Sequence, residues 1–336
     1  MAKPLIPRMH LWEIDDQPWF PPFLRAYVQT GLTHAWTTHI PLLQSSSPAT
    51  LVANTLRRVL GNSVSRHTYI DFCAGAGGPT PFIERALNSQ LVRATTSRAV
   101  PATASSAVVG GESKASSTGT PSYAAVANPS TKNTVVHDDG GAVDFVLTDL
   151  HPHVESWEAA AKKSDHLTYV SSPVDATHAP THLLRKYAKT NGNDKKGIFR
   201  LFNLAFHHFD DDLARAILKD TIETSDGFGI FELQDRSPSG IITCFLFGFF
   251  ILLIAPLLYW WSPVRLFYIY IVPIVPFVLV FDGIISCLRT RTPEEVELLL
   301  RTCGADSDGW VVQSGREQFL WPLGNLSWII CTKRAA

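Results

Sequence analysis

Residues 241–261 run for 21 positions without a charged side chain, and residues 266–281 add 16 more after a short Ser-Pro-Val-Arg break. A helix of about 20 apolar residues crosses the hydrocarbon core of a bilayer, so the first run alone has spanning length. The second run is shorter and contains Pro273 and Pro276. Tyr259, Trp260, Trp261, Tyr268 and Tyr270 gather around the break as interfacial aromatics do, while Arg236, Arg289 and Arg291 flank the pair at its other end. The pattern predicts a membrane-embedded helical hairpin over residues 241–285, either spanning the bilayer or dipping into one leaflet. A two-pass hairpin returns the chain to the side it left, so both flanking regions share one compartment, most simply the cytosol. Residues 1–7 lead into acids rather than into an apolar core and cleavage site, which argues against a signal peptide.

Outside the hairpin the chain reads as an α/β domain that the hairpin interrupts. Tyr69-Ile70-Asp71-Phe72-Cys73-Ala74-Gly75-Ala76-Gly77-Gly78-Pro79 is an apolar run ending in an acid, followed by glycines and then a helical pattern over residues 81–92. That is a buried parallel strand, a tight turn and a helix. Glycines allow unusual dihedrals and close approach of a ligand, and the helix N-terminus adds free N–H groups beside it. Further strands are predicted at residues 143–150, 167–170, 198–205 and 229–233, with a closing pair at 310–314 and 326–332. Between them, Asp211–Thr224 has helical spacing, and Thr292-Pro293-Glu294-Glu295 is an N-cap, a first-turn proline and two acids opening a helix to about Cys303.

Strands alternating with helices predict a Rossmann-like, doubly wound parallel sheet. The polar residues Asp149, Asp175, His207, His208 and Glu232 all lie at or just beyond predicted strand ends, where open α/β sheets bind ligands. The expected organisation is an N-terminal helical cap or lid (1–60), the α/β domain (61–240), the hairpin (241–285) and the completion of the α/β domain (286–336). Residues 94–141 are rich in Ser, Thr, Ala, Gly and Pro and read as a disordered insertion. The aromatic N-terminal stretch, with Trp12, Trp19, Phe20, Phe23 and Trp36, suits either a lid or bilayer-facing surface, or a cap packed on the sheet.

Composition narrows the function. The formal net charge is −1 and no basic tract stands near the strand ends, so no nucleic-acid partner is expected. Five cysteines (Cys73, Cys244, Cys287, Cys303 and Cys331) form no Cys-x-x-Cys pair, which disfavours a zinc site or a disulfide framework. A zinc site built from His151, His153, His207 and His208 lacks ligand spacing, so no metal is expected.

The element order resembles the class I S-adenosylmethionine-dependent methyltransferases over residues 68–236 and 289–334, the insertion excluded. In that family the first strand ends in Asp-x-Gly-x-Gly-x-Gly, matched here by Asp71-Phe72-Cys73-Ala74-Gly75-Ala76-Gly77 with Cys73 replacing the first glycine. The resemblance implies S-adenosylmethionine as cofactor, with Gly75 and Gly77 lining its methionine part and Asp71 fixing the loop and reaching its amino group. It also implies that Asp149 accepts from the two ribose hydroxyls and that Asp175 lies near the adenine amino group. The whole chain is similar to a set of membrane-anchored methyltransferase-like proteins, through the Trp-Phe-Pro entry, Phe-His-His-Phe and Phe-Glu-Leu-Gln-Asp-Arg. That similarity brings no substrate with it.

Methyl transfer needs the acceptor, methyl carbon and sulfur held in line, and a base where the acceptor carries a high-pKa proton. His207, His208 and Glu232 are the candidates for that proton chemistry. Each polar residue also has a structural alternative: Asp149 capping a turn, Asp175 holding a loop, the histidines bonded to backbone. The expectation is a membrane-anchored methyltransferase acting from the cytosolic side on a small apolar or lipid-like acceptor. The alternative is a membrane-tethered scaffold that keeps the fold without turnover.

Overall fold

A computed structural model describes residues 4, 6–99, 141–188 and 196–334. The predicted insertion therefore lies almost entirely outside the described residues. Its first part does not: α3 continues to Ala99, beyond residue 92, where the sequence reading ends the helix.

The chain opens with α1 (Pro22–Thr37) and α2 (Pro48–Leu60), then enters the sheet through β1 (His67–Phe72). Crossovers follow as α3 (Thr80–Ala99), β2 (Phe145–Thr148), α4 (Val154–Ala161), β3 (Leu167–Tyr169), α5 (Thr181–Tyr187), β4 (Gly197–Asn203), α6 (Asp211–Thr224) and β5 (Gly227–Glu232). After β5 come α7 (Pro238–Tyr259), α8 (Pro263–Leu266) and α9 (Ile274–Arg289), before α10 (Pro293–Arg301), β6 (Trp310–Leu320) and β7 (Gly324–Lys333) close the domain.

The seven strands lie in the order β3-β2-β1-β4-β5-β7-β6. The first five are parallel, and β7 runs antiparallel to both β5 and β6. Winding outward from β1 to β3 and then back to β4 puts the topological switch point between β1 and β4, where doubly wound sheets open a ligand crevice. Both faces are covered, which is why the strands read as nearly continuous apolar runs. Alternate side chains feed opposite cores: Tyr69, Phe145 and Phe199 pack towards α2 and α3, whereas Ile70, Val146 and Ile198 pack towards α5, α6 and α10. The caps follow the sequence signals. Asp210 accepts from the Leu213 N–H, and Thr292 and Glu295 form a reciprocal capping box on α10.

The hairpin differs from the expected pair of helices. One helix, α7, is long and apolar enough to cross a bilayer: its 22 residues reach about 33 Å. The return limb is broken. α8 and a π-helical turn (Phe267–Ile271) meet α9 at a bend of 63°. The cause is Pro273, which has no N–H to continue a helix, while Pro276 is tolerated in the first turn of α9 because its N–H would be unbonded there.

Small residues let the apolar helices approach one another. A Cβ on Gly248 of α7 would collide with Val280, one on Gly283 would stand 3.1 Å from Cys244 Sγ, and one on Gly31 would stand 3.1 Å from Leu279. Gly31 belongs to α1, so α1 packs with α7 and α9 through Leu24, Val28, Ile251 and Leu279, whereas α2 packs on the sheet. The other face of α7 leaves Phe245, Phe249, Leu253 and Leu257 exposed.

Candidate active site

The turn after β1 is wound in the left-handed region. Cys73 (φ 74°), Gly75 (φ 51°), Gly77 (φ 106°) and Gly78 (φ 48°) all have positive φ. An L side chain there costs about 1–2 kcal/mol, so Cys73 carries a strain that glycine would not. Of two variants that both lack the thiol, Cys73→Gly is expected to be more stable than Cys73→Ala by about 1 kcal/mol, read by thermal unfolding. Gly75 and Gly77 play different parts. Nothing lies within 4 Å of a Cβ position on Gly75, so its outer side is open, whereas one on Gly77 would contact Trp157, Leu147 and Pro81.

Asp71, next to last in β1, is 1% exposed. Its Oδ2 accepts from Thr80 Oγ1 and, at 3.4 Å, from Asn203 Nδ2. Asn203, the last residue of β4, also donates to Thr80 Oγ1 at 2.9 Å. The two remaining oxygens, Asp71 Oδ1 and Asn203 Oδ1, are buried with no donor facing them. Leaving such acceptors unpaired is costly, which makes them candidates for a ligand's donor group. Burial pushes the Asp71 carboxyl up to about 7, against the hydrogen bonds from Thr80 and Asn203.

Asp149, just beyond β2, holds the glycine turn. Its Oδ2 accepts from the Gly75 N–H at 2.8 Å and its Oδ1 from the His151 N–H at 2.8 Å. Trp157 closes the other side, donating Nε1–H to the Gly75 carbonyl at 2.8 Å. The capping role foreseen as an alternative for Asp149 is therefore present, and each carboxylate oxygen keeps a second lone pair. Asp175 is exposed and uses Oδ1 to accept from the Thr177 N–H and hydroxyl, a loop-holding role. Burial, then the charges of Asp149, Asp71 and Asp175, push the Cys73 thiol up. Three carboxylates thus converge on one turn, and their field favours a cation.

The structure also brings His207, His208 and Glu232 together. They sit at the carboxyl ends of β4 and β5, with His207 Nδ1 2.9 Å from Glu232 Oε2 and the two imidazole centroids 4.2 Å apart. Burial, reinforced by Arg289, lowers His207 to about 3, and burial pushes Glu232 up to about 8. His207 is therefore neutral at pH 7 and a poor proton acceptor. The foot of the apolar hairpin clamps this turn. Arg289 donates to the His207 and His208 carbonyls at 3.2 and 2.9 Å, and Arg291 to those of Phe206 and Phe209 at 3.1 and 2.8 Å.

Several participants carry no mark in the sequence reading. Asn203 has the same signal as Asp71, a polar residue ending an apolar strand. Glu13 and Asp16, which reach the histidines, come from the aromatic N-terminal segment and pair only through the tertiary fold. His151 and His153 are exposed on the loop after β2, whereas His207 and His208 follow β4, so the four-histidine grouping considered in the sequence is split between two loops.

A cavity of about 390 Å³ opens beside Glu232, lined by Phe206, His207, Ile230, Arg236, Arg291 and Trp328 among others. That is the size of a small-molecule pocket. Arg236 Nε and Trp328 Nε1 are buried donors without partners.

No protein-family model and no curated protein sequence matches the chain. Among solved structures it is similar to the pyocyanin biosynthetic protein PhzM, at 13% identity and TM-score 0.41, over 86% of this chain and 56% of that one. It is similar to the plantazolicin methyltransferase BpumL in complex with SAH, at 10% identity and TM-score 0.38, over 93% of this chain and 100% of that one. A third is the methyltransferase domain of bacterial CtHen1-C, at 11% identity and TM-score 0.40, over 85% of this chain and 98% of that one. Methyltransferases recur among such structures. At these identities and TM-scores the likeness assigns no activity, and the reading of the site rests on its own residues.

Proposed function

We propose that the chain is a membrane-anchored, S-adenosylmethionine-dependent methyltransferase acting on a small apolar or lipid-like acceptor from the cytosolic side. The observation that carries this reading is the left-handed glycine turn at the switch point, with two donorless buried oxygens, Asp71 Oδ1 and Asn203 Oδ1, beside it. S-adenosylmethionine is a cation bearing an ammonium donor and a sulfonium, and it fits both the missing donors and the field of Asp71, Asp149 and Asp175. When bound it supplies an electrophilic methyl group. The chain's own residues hold and orient. Asp71 and Asn203 take the ammonium, Gly75 and Gly77 leave room for the methionine part, Asp149 accepts from the ribose hydroxyls and Asp175 faces the adenine.

The acceptor is assigned to the cavity beside His207 and Glu232, at the carboxyl ends of β4 and β5. Its position supports a lipid-like acceptor, since α7 starts just after β5 and the α9 residue Arg289 holds the His207–His208 turn. The exposed apolar face of α7 supports the membrane reading: Leu257 is 77% exposed, and Trp260, just past the helix end, 74%.

The test is calorimetric titration of S-adenosylmethionine into detergent-solubilised protein between pH 6 and 8. Micromolar binding is expected, followed by transfer of labelled methyl groups into a lipid extract. The sign of the pH effect follows from Asp71. Its carboxyl, near 7 in the folded chain, is protonated at lower pH and then accepts poorly from an ammonium. Affinity should therefore rise as pH increases through about 7, by at most tenfold per unit below it. Asp71→Asn should bind more weakly and lose most of that slope. Absence of binding in well-folded protein would defeat the enzyme reading in favour of the scaffold.

A further inference from the structure

The turn after β4 brings two imidazoles to a carboxylate from the N-terminal segment. His207 Nε2 lies 3.7 Å from Glu13 Oε1, and His208 Nε2 lies 3.9 Å from Glu13 Oε2. One ligand atom from each of the three residues falls within 4.8 Å of the others. The opposite nitrogens are held by two further carboxylates: His207 Nδ1 by Glu232 at 2.9 Å and His208 Nδ1 by Asp16 at 3.1 Å. Both Nε2 atoms are thereby turned towards Glu13. A carboxylate on the far nitrogen is how a ligating histidine has its tautomer and ring orientation fixed.

Glu13 is placed with equal care. The Asp282 carboxylate accepts from the Ile14 and Asp15 N–H groups at 2.7 and 2.9 Å, which straps the segment to α9, and Ser286 Oγ donates to Glu13 Oε1 at 2.9 Å. We infer that Glu13, His207 and His208 form a binding site for a divalent transition-metal ion, Zn2+ by its donor set of two imidazoles and one carboxylate.

One guanidinium reaches the point, that of Arg289, whose Nη1 lies 3.2 Å from Glu13 Oε1 and 3.5 Å from Asp16 Oδ2. Arg8 and Arg291 are engaged by Asp211. An ion would compete with Arg289 for Glu13, but Arg289 keeps its bonds to the His207 and His208 carbonyls, and Glu13 retains Oε2. Donors around tetrahedral zinc stand roughly 3.3 Å apart, so the 3.7 and 3.9 Å separations need contraction by a few tenths of an ångström. The His208 side chain is 32% exposed, which leaves an outer position for water or an oxygen ligand, as in catalytic rather than closed structural zinc sites. Ligated through Nε2, the histidines would act through the metal and not as bases.

The test uses full-length protein in detergent, stripped with a chelator and titrated with Zn2+ by calorimetry and with Co2+ by visible absorption. A single tight ion per chain is expected, with a cobalt d–d band and no sulfur charge-transfer band. Glu13→Gln and His208→Ala should each weaken zinc by about 100-fold or more, and Asp16→Asn by about 10-fold. Thermal unfolding confirms that the variants are folded. No zinc binding by the wild type, or wild-type affinity in folded Glu13→Gln and His208→Ala, would overturn the assignment. A thiolate band would do the same, placing the ion on Cys244 and Cys287, whose sulfurs lie 3.7 Å apart. S-adenosylmethionine is titrated on the same preparations: zinc bound without cofactor defeats the methyltransferase reading alone, and cofactor bound without zinc defeats the metal site alone.

Discussion

Asp149→Ala is expected to remove measurable S-adenosylmethionine binding from a protein that still unfolds cooperatively. The carboxylate has two duties. It fixes the glycine turn through the Gly75 N–H and its own loop through the His151 N–H, both at 2.8 Å. On the proposed reading its remaining lone pairs accept from the ribose hydroxyls. A hydrogen bond to a charged group contributes about 1.5–3 kcal/mol, so losing two of them costs roughly 3–6 kcal/mol, or at least 100-fold in affinity. The stability cost is smaller, because Trp157 still holds the Gly75 carbonyl and Asp149 lies in a partly exposed loop. Asp149→Asn keeps an acceptor but only one oxygen, and should fall between the two. Calorimetry on the three proteins decides the matter. Wild-type affinity in the Ala variant would remove Asp149 from the cofactor site and leave it only its capping role.

Asp220→Ala should be the most damaging substitution for the fold, at about 3–5 kcal/mol. Arg200 lies in the middle of β4 and is fully buried, at 0% exposure. Its guanidinium stacks 4.4 Å from the Phe72 ring centroid and bonds to Asp220 Oδ2 at 2.6 Å, with Thr221, Thr224 and the Ala176 carbonyl as weaker partners. Removing Asp220 leaves a buried cation without its counter-charge and frees the Ala179 N–H, which Asp220 also accepts. For a domain of this size the loss corresponds to a drop in melting temperature of roughly 6–20 °C. The pair itself is not a net source of stability, since its desolvation offsets most of its attraction. Arg200→Met combined with Asp220→Leu should therefore recover most of the loss. A single variant that melts within about 2 °C of wild type would show the pair to be dispensable.

The carboxyl end of the sheet and the apolar hairpin are mechanically one unit. Arg289 and Arg291 reach from the foot of the hairpin to four successive carbonyls of the His207–His208 turn, Phe206 to Phe209. Asp282 of α9 positions the backbone next to Glu13. Any tilt of α9 would thus be felt at β4, the strand that also presents Asn203 to Asp71.

Local signals sufficed where the physics is local. Alternating apolar strands, the glycine turn, the Asp210 and Thr292 caps and the uncharged run over residues 241–261 all announce themselves within a few residues of chain, and the sheet, the turn and α7 follow from them. Asp71, Gly75, Gly77 and Asp149, on which the proposed cofactor site is built, have legible places for the same reason: each stands at a strand end or in the turn that follows one. Asp175 was legible as a loop acid, but its exposed, Thr177-bonded geometry is set by the loop after β3. The break in the return limb needed the tertiary structure, because a proline can end a helix or sit harmlessly in a first turn, and Pro273 and Pro276 do one each. The Arg200–Asp220 pair and the meeting of Glu13 with His207 and His208 were not readable at all. A buried charge must find its partner wherever the fold brings one, and hydrogen-bond reach is a distance in space that the sequence, which fixes only neighbours along the chain, does not contain.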